Sequence, residues 1–74
     1  MDFKQAIVDR RLPPTKVRRA LREASGLSVL EVAEAIGVSR QAVWRWERGL
    51  REPHGGNRLA YVGFLEDARK AVAS

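Results

Sequence analysis

The amino-acid sequence predicts an all-α fold, a compact bundle of about five helices with an extra short helix at the N-terminus. Apolar residues recur at the i, i+3, i+4 spacing of amphipathic helices, and residues that cap or end helices separate these stretches. No segment alternates apolar and polar residues over the length of a strand. We expect an N-terminal helix with a proline linker over residues 1–14 and a helical domain over residues 15–74.

Two prolines separate the first two predicted helices. Asp2 can cap a short helix, and Pro13 and Pro14 end it because proline cannot continue a helical hydrogen-bond pattern. Thr15 then caps a second helix, which ends at Gly26. The apolar residues of this second helix share one face and are expected to be buried: Val17, Ala20, Leu21 and Ala24.

Residues 28–49 indicate two short amphipathic helices joined by a tight turn. Ser28 begins a capping box, and Gly37 suits the left-handed position that closes the first of these helices. Ser39 caps the second helix, and Gly49 ends it. The inward-facing residues of the second helix are expected to be Ala42, Val43 and Trp46.

Asn57 can cap the last helix, which we place at about residues 57–73. Its larger apolar side chains are Leu59, Tyr61, Val62, Leu65 and Val72. Two interpretations of this apolar surface remain open. It is either the surface of a homodimer or the face that closes the core, which a domain of this size needs.

The charge distribution favours a polyanionic partner. The chain has 14 Lys and Arg against 9 Asp and Glu, which gives a net charge of +5. Between Arg10 and Arg22 every charged side chain is basic, and between Arg40 and Arg58 arginine predominates. Two basic segments that converge on one face would form the surface of a polyanion binder, whereas the alternative is an ordinary solvated basic surface.

The composition argues against several other function classes. The chain has no Cys and a single His, His54, which disfavours a metal site and excludes disulfides. It has no paired histidine and carboxylate spacing and no glycine-rich phosphate loop, so we expect no enzyme and no cofactor. No apolar run reaches the roughly 18 residues that span a bilayer, so we expect a cytoplasmic protein with no membrane partner.

Five short runs of the sequence resemble a known family. They are Leu21-Arg22, Gly26-Leu27-Ser28, Val32-Ala33-Glu34, Ile36-Gly37-Val38-Ser39 and Trp46-Glu47-Arg48-Gly49. Over residues 15–62 they resemble the lambda-repressor/Cro-like helix-turn-helix family of bacterial and phage regulators, also called the XRE family. The resemblance implies a lambda-repressor-like bundle that binds double-stranded DNA through the motif 28–49, with the recognition helix at 39–48. It also implies a transcriptional repressor in the cytoplasm of a bacterial cell or a phage-infected host.

The outward side chains of the recognition helix suit base recognition in the major groove. Arginine can donate two hydrogen bonds to guanine, and glutamine can bracket adenine in the same way. Arg40 and Gln41 lie in the first turn, and Arg45 follows one turn later on the same face. Trp44 is the fourth base-contact candidate, which can pack on a thymine methyl group or a sugar, or fold sideways onto the basic loop. The alternative for these side chains is ordinary exposed polarity.

Phosphate contacts are expected from the flanks of the motif, because such contacts position a protein on DNA without recognising its sequence. The candidates are Arg18, Arg19, Ser39, Arg48, Arg51 and Arg58. The resemblance further implies a structural ion pair between Arg22 and Glu47, which would link the first helix of the domain to the end of the recognition helix. Glu47 is therefore not expected to be a catalytic acid.

Two positions depart from the family pattern. Family members often carry glutamine directly after the cap of the first motif helix, where it contacts a phosphate, and here that position is Val29. The next position, usually charged, is Leu30, which either the N-terminal helix covers or a protein partner contacts. Leu30 and Trp44 therefore keep a second hypothesis open: an antitoxin or a recombination accessory factor that uses the helix pair for protein contact.

Overall fold

The computed structural model describes residues 12–73, and these form four α-helices. The helices are α1 (Thr15–Ala24), α2 (Val29–Ile36), α3 (Arg40–Arg48) and α4 (Gly55–Ala73). Over the described range the chain contains no strand, which confirms the all-α class. The expected count of about five helices is too high for this range. The extra N-terminal helix and its proline linker were predicted over residues 1–14, of which residues 1–11 lie outside the described residues.

The helix ends of the 28–49 segment form as predicted. The Ser28 hydroxyl accepts a hydrogen bond from the Glu31 amide, and the Glu31 carboxylate accepts one from the Ser28 amide, both at 3.0 Å. Gly37 closes α2 with a φ of 90°, a left-handed conformation that suits glycine. The Ser39 hydroxyl caps α3, and Gly49 ends it with a φ of 71°. Local hydrogen bonds therefore fix both ends of the two motif helices.

Two predicted caps were wrong. Thr15 is the first residue of α1, and Pro14 precedes the helix without any side-chain cap. The Pro14 carbonyl accepts the first helical amide hydrogen bonds, a position where the missing N–H of proline has no cost. Helix α4 begins at Gly55, two residues before Asn57, because the His54 carbonyl already accepts the Arg58 amide at 3.2 Å.

The core lies where α2, α3 and α4 meet. Val32 of α2 and Val43 of α3 are almost completely buried, and Trp46 of α3 packs on Tyr61 of α4 with ring centroids 4.9 Å apart. Leu65 continues the core along α4. Burying an aliphatic or aromatic side chain of this size contributes about 1.5–3 kcal/mol to the free energy of folding. No described helix is long and apolar enough to cross a membrane.

The apolar stripe predicted for α1 was wrong. Val17 is 40% exposed, Ala20 and Ala24 are also exposed, and only Leu21 is partly buried. The buried residue of this helix is Arg18. Arginine can occupy an inward position because its aliphatic stem packs on apolar surface while its guanidinium group is paired.

The apolar residues of α4 divide between the interior and the surface. Tyr61, Val62 and Leu65 are buried within the domain itself, so they close the core and are not available as a dimer surface. Leu59 and Val72 are about half exposed. Of the two interpretations of this apolar surface, core closure therefore accounts for its buried members.

Candidate nucleic-acid interface

Helix α3 has one buried face and one face directed to solvent. Val43, Trp46 and Glu47 are buried, which fixes the rotation of the helix about its own axis. The outer face of α3 carries three of the base-contact candidates as exposed side chains and Arg45 as a partly buried one. The exposed three are Arg40, Gln41 and Trp44. The structure therefore brings all four candidates together on a single helix.

Trp44 is 41% exposed and is held by a neighbour on its own helix. The guanidinium carbon of Arg48 lies 3.9 Å from the centroid of the Trp44 ring, a cation–π contact. Arg48 also donates a hydrogen bond to the Trp44 carbonyl at 3.3 Å. The ring therefore pairs with α3 itself, and one large aromatic surface stays on the outer face.

Two grooves flank the outer face of α3. The α2–α3 groove is lined by Val29, Ser39, Arg40, Gln41 and Trp44. The α3–α4 groove lies on the other side, where α3 meets the loop before α4, and its lining includes Arg45, Arg51, His54 and Asn57. Polar and basic side chains thus extend from α3 onto the loop that follows it.

The Arg22–Glu47 ion pair connects α1 to the end of α3. Arg22 donates from Nε to Oε2 of Glu47 at 2.5 Å and from Nη2 to Oε1 at 3.0 Å, in the bidentate geometry that arginine forms with carboxylates. Its third nitrogen donates to the Leu27 carbonyl in the turn before α2. The hydrogen bond to Glu47 raises the pKa of Arg22 above its ordinary value. Three segments around α3 are therefore linked through one guanidinium group.

Arg18 was predicted to contact phosphate, and the structure places it in the interior instead. Its side chain is only 7% exposed. Its Nε donates to the Pro13 carbonyl at 2.7 Å, and its Nη1 donates to the Trp46 carbonyl and to the Glu52 carboxylate, each at 3.0 Å. Arg18 lies four residues before Arg22 on the same helix, so both share one face. That spacing indicates the shared face, but it does not indicate the distant partners that bury Arg18.

The other phosphate candidates lie in different surroundings. Arg48 and Arg51 are exposed, and Ser39 is exposed although its hydroxyl caps α3. Arg19 is exposed on α1, pairs with Glu23 at 2.7 Å and lines a separate depression with Lys16 and Glu47. These positions divide the candidates into a group on α3 and its following loop and a lone member on α1.

Arg58 was also predicted to contact phosphate, but most of its side chain is covered. It is 14% exposed, donates to the Pro53 carbonyl at 3.3 Å and lies 4.0 Å from the Glu52 carboxylate. Glu52 therefore lies between Arg18 and Arg58. No local sequence pattern indicates this role for Glu52, because Arg18 is 34 residues away.

Comparison with known proteins identifies the family. The profile of the helix-turn-helix family matches residues 19–57, a span that contains α2, α3 and the turn between them. The chain belongs to the helix-turn-helix family. The resemblance to its lambda-repressor-like, XRE-type branch is thereby confirmed. Within the helix-turn-helix motif, α3 occupies the position of the recognition helix.

A relative of known name shares this helix-turn-helix region. It is a protein of Methanocaldococcus jannaschii named "Putative HTH-type transcriptional regulatory protein", 39% identical over 51 residues. The aligned region covers 69% of this chain and 16% of the relative. The chain therefore spans a small part of that relative's length. No solved structure gives a significant match to the chain.

Proposed function

We propose that this chain binds double-stranded DNA and recognises its sequence with the outer face of α3. One observation carries the proposal: α3 buries Val43 and Trp46, while Arg40 and Gln41 are exposed and Arg45 is partly exposed. An α-helix of this diameter fits the major groove of B-form DNA. Because the buried face of α3 packs into the core, the helix can hold base-contacting side chains in a fixed orientation.

The three polar side chains suit base edges of different kinds. Arg40 and Arg45 can each donate two hydrogen bonds to O6 and N7 of guanine, and Gln41 can bracket N6 and N7 of adenine. Arg40 and Gln41 begin α3, and the N-terminal part of a recognition helix contacts base edges in this docking mode. We infer that these residues determine most of the sequence preference.

Phosphate contacts come from the exposed group around α3. Arg48 and Arg51 are exposed, and Ser39 lies at the N-terminus of α3, where helix amides favour an anion. We omit Arg18, which is buried, and Arg58, most of whose side chain is covered. We omit Arg19, because it lines a separate depression on α1.

The DNA-binding role points to transcriptional regulation. The relative from Methanocaldococcus jannaschii carries a name of that kind, and the family resemblance is to bacterial and phage regulators. Occupation of a promoter by a bound domain is the simplest way in which DNA binding affects transcription. We therefore infer repression in the cytoplasm as the physiological role.

A second candidate function is contact with a protein through α2. Leu30 is 47% exposed on this helix, directly after Val29 at the groove beside α3. An antitoxin or a recombination accessory factor would use such a surface for its partner. Leu30→Glu should leave DNA binding intact in either case. The substitution should abolish binding to the protein partner, and the activity that depends on that partner, only if this second function holds.

Selection from a library of random duplex DNA tests the main proposal. The 74-residue chain should enrich one short motif, and binding to that motif should survive salt better than binding to unrelated duplexes. Nonspecific attraction depends on counterion release and weakens steeply with salt. Failure to enrich a motif, together with loss of all binding by about 0.2 M salt, would contradict sequence-specific recognition.

A further inference from the structure

The α2–α3 groove combines apolar walls with base-contact side chains. Val29 at the start of α2 and Trp44 on α3 are its apolar members, and Ser39, Arg40 and Gln41 complete the lining. Three of these five residues are polar, yet most of the exposed groove surface is apolar. The groove therefore offers an apolar contact directly beside side chains that can hydrogen-bond to purines.

Both apolar members are restrained. Trp44 is held by the guanidinium group of Arg48, 3.9 Å from its ring centroid, and retains 41% exposure. Val29 is partly buried and packs against the hydrophobic core, and its branched side chain has few rotamers. A pre-ordered apolar surface loses little conformational entropy when a ligand covers it. The groove is thus suited to a small apolar group of fixed position.

We infer that the α2–α3 groove receives the C5-methyl group of a pyrimidine base, a contact that rests on the DNA-binding function proposed above. Thymine is the standard DNA base that presents a methyl group in the major groove, and apolar side chains contact it there. Arg40 and Gln41 line the same groove and are suited to purines. The methyl-bearing pyrimidine therefore lies next to the purine contacts, on either strand.

Two pyrimidine bases carry the methyl group that the α2–α3 groove is proposed to receive. Thymine and 5-methylcytosine carry the same methyl group at C5, and Val29 and Trp44 cannot distinguish them through that group alone. Valine at position 29 cannot donate a hydrogen bond to a phosphate, so the groove contributes sequence preference in place of backbone attraction. The DNA site should accordingly show dependence on a single methyl group.

Substitution of single methyl groups in the DNA tests this contact. In the duplex obtained by selection, each thymine is replaced in turn by deoxyuridine and each cytosine by 5-methylcytosine. Burial of one methyl group is worth about 0.8 kcal/mol, which corresponds to about a fourfold change in affinity. We expect one thymine per half-site whose replacement weakens binding about fourfold, or one cytosine whose methylation strengthens binding about fourfold.

Variants of the groove assign the effect to the two apolar residues. Val29→Asn replaces the branched apolar side chain with a polar one of similar size, and Trp44→Ala removes the ring. Either variant should reduce the affinity ratio between methylated and unmethylated duplexes to about one. Leu59→Ala is the control, because Leu59 is an exposed apolar residue of α4 outside the groove. The ratio compares two duplexes with one protein sample, so a loss of fold stability does not change it.

Three outcomes separate this inference from the proposed function. Selection of a motif in which no methyl substitution changes affinity by more than about twofold would overturn the methyl contact and leave DNA recognition standing. A methyl dependence that persists in both groove variants would also overturn it, because the contact would lie elsewhere. Failure to select any motif would overturn the proposed function, and the methyl contact with it.

Discussion

The arginines of the described residues include two physical classes that composition does not distinguish. Arg18 and Arg22 have their guanidinium groups inside the domain, paired with Glu52 and Glu47. Arg40, in contrast, is exposed on the outer face of α3. Only a guanidinium group with exposed surface can reach a nucleic acid, so the basic segment around α1 is less available to a polyanion than its charge suggests.

Among the exposed side chains, those that contact bases and those that contact phosphates should differ in how their replacement changes the DNA sequence preference. Arg40→Ala and Gln41→Ala should each relax the preference at one or two base positions and cost about 1–3 kcal/mol of binding free energy at the selected site, because each removes a bidentate base contact. Arg51→Ala should weaken binding to all sequences alike and reduce the salt slope by about one, as expected for a phosphate contact.

Repeated motif selection with each variant, together with affinities at several salt concentrations, measures these effects. Arg69→Ala on the last turns of α4 is the control of equal charge, and it should leave the selected motif unchanged. If Gln41→Ala selected the same motif as the natural sequence, the proposed orientation of α3 on DNA would be wrong.

At the level of secondary-structure elements, the hydrogen bonds of Arg18 connect α1 to the C-terminal end of α3. Arg18→Met keeps the aliphatic stem but removes the guanidinium hydrogen bonds to the Pro13 and Trp46 carbonyls. Loss of a buried hydrogen-bond partner costs about 1–3 kcal/mol, so the free energy of unfolding should fall by that amount. Arg19→Met is the matched control, because Arg19 forms an exposed ion pair on the same helix, and such pairs contribute little.

Urea unfolding measures this difference, and the DNA salt slope of the folded variant provides a second measurement. The slope should be unchanged in Arg18→Met, because a buried guanidinium group neutralises no phosphate. A slope reduced by about one with unchanged stability would show that Arg18 contacts DNA and would contradict its burial.

The capping box at the start of α2 makes a prediction about titration. Hydrogen bonds from the Ser28 amide and, to a smaller extent, from the Ser28 hydroxyl hold the pKa of Glu31 below its ordinary value. Folded protein therefore binds fewer protons at Glu31 than unfolded protein near pH 4, and the stabilisation is present above the ordinary pKa of about 4.3. It is lost as pH falls through the lowered value.

Ser28→Ala removes the hydroxyl contact but keeps the amide contact. The pKa of Glu31 should rise in this variant without returning fully to its ordinary value, which NMR titration of the side-chain carboxyl group measures. Ser25→Ala is the control, because the Ser25 hydroxyl donates to the Leu21 carbonyl and not to Glu31. An unchanged Glu31 pKa in Ser28→Ala would contradict the contribution of the Ser28 hydroxyl to the lowered pKa.

For the whole molecule, the sequence predicted those features whose partners are local. The caps at Ser28 and Ser39 were predictable because each hydroxyl binds an amide three residues away. Burial of Arg18 was not, because it depends on Glu52 across 34 residues and on the Trp46 carbonyl of another helix. Periodicity assigns apolar residues to the interior and cannot indicate a buried ion pair. The same limit explains the error in the α1 stripe.

The size of the molecule and the burial of its apolar surface make a final prediction about assembly. Tyr61, Val62 and Leu65 are buried in the domain's own core, so the free chain should be a monomer with its sequence mass of 8.3 kDa. A single helix-turn-helix unit recognises about half of a symmetric site, and paired units lie roughly 34 Å apart on DNA. The described fold measures 36 × 29 × 20 Å, which allows two copies side by side at that spacing.

Light scattering should therefore show one chain in the absence of DNA and two chains on a duplex that carries the selected half-site twice as an inverted repeat. Insertion of five base pairs between the half-sites rotates them to opposite sides of the duplex, by about half of the roughly 10-base-pair helical turn. If DNA alone brings the copies together, binding of the second chain should be unaffected by this insertion. A strong loss of binding on insertion, or a dimer of the free chain, would instead show a protein interface between the copies.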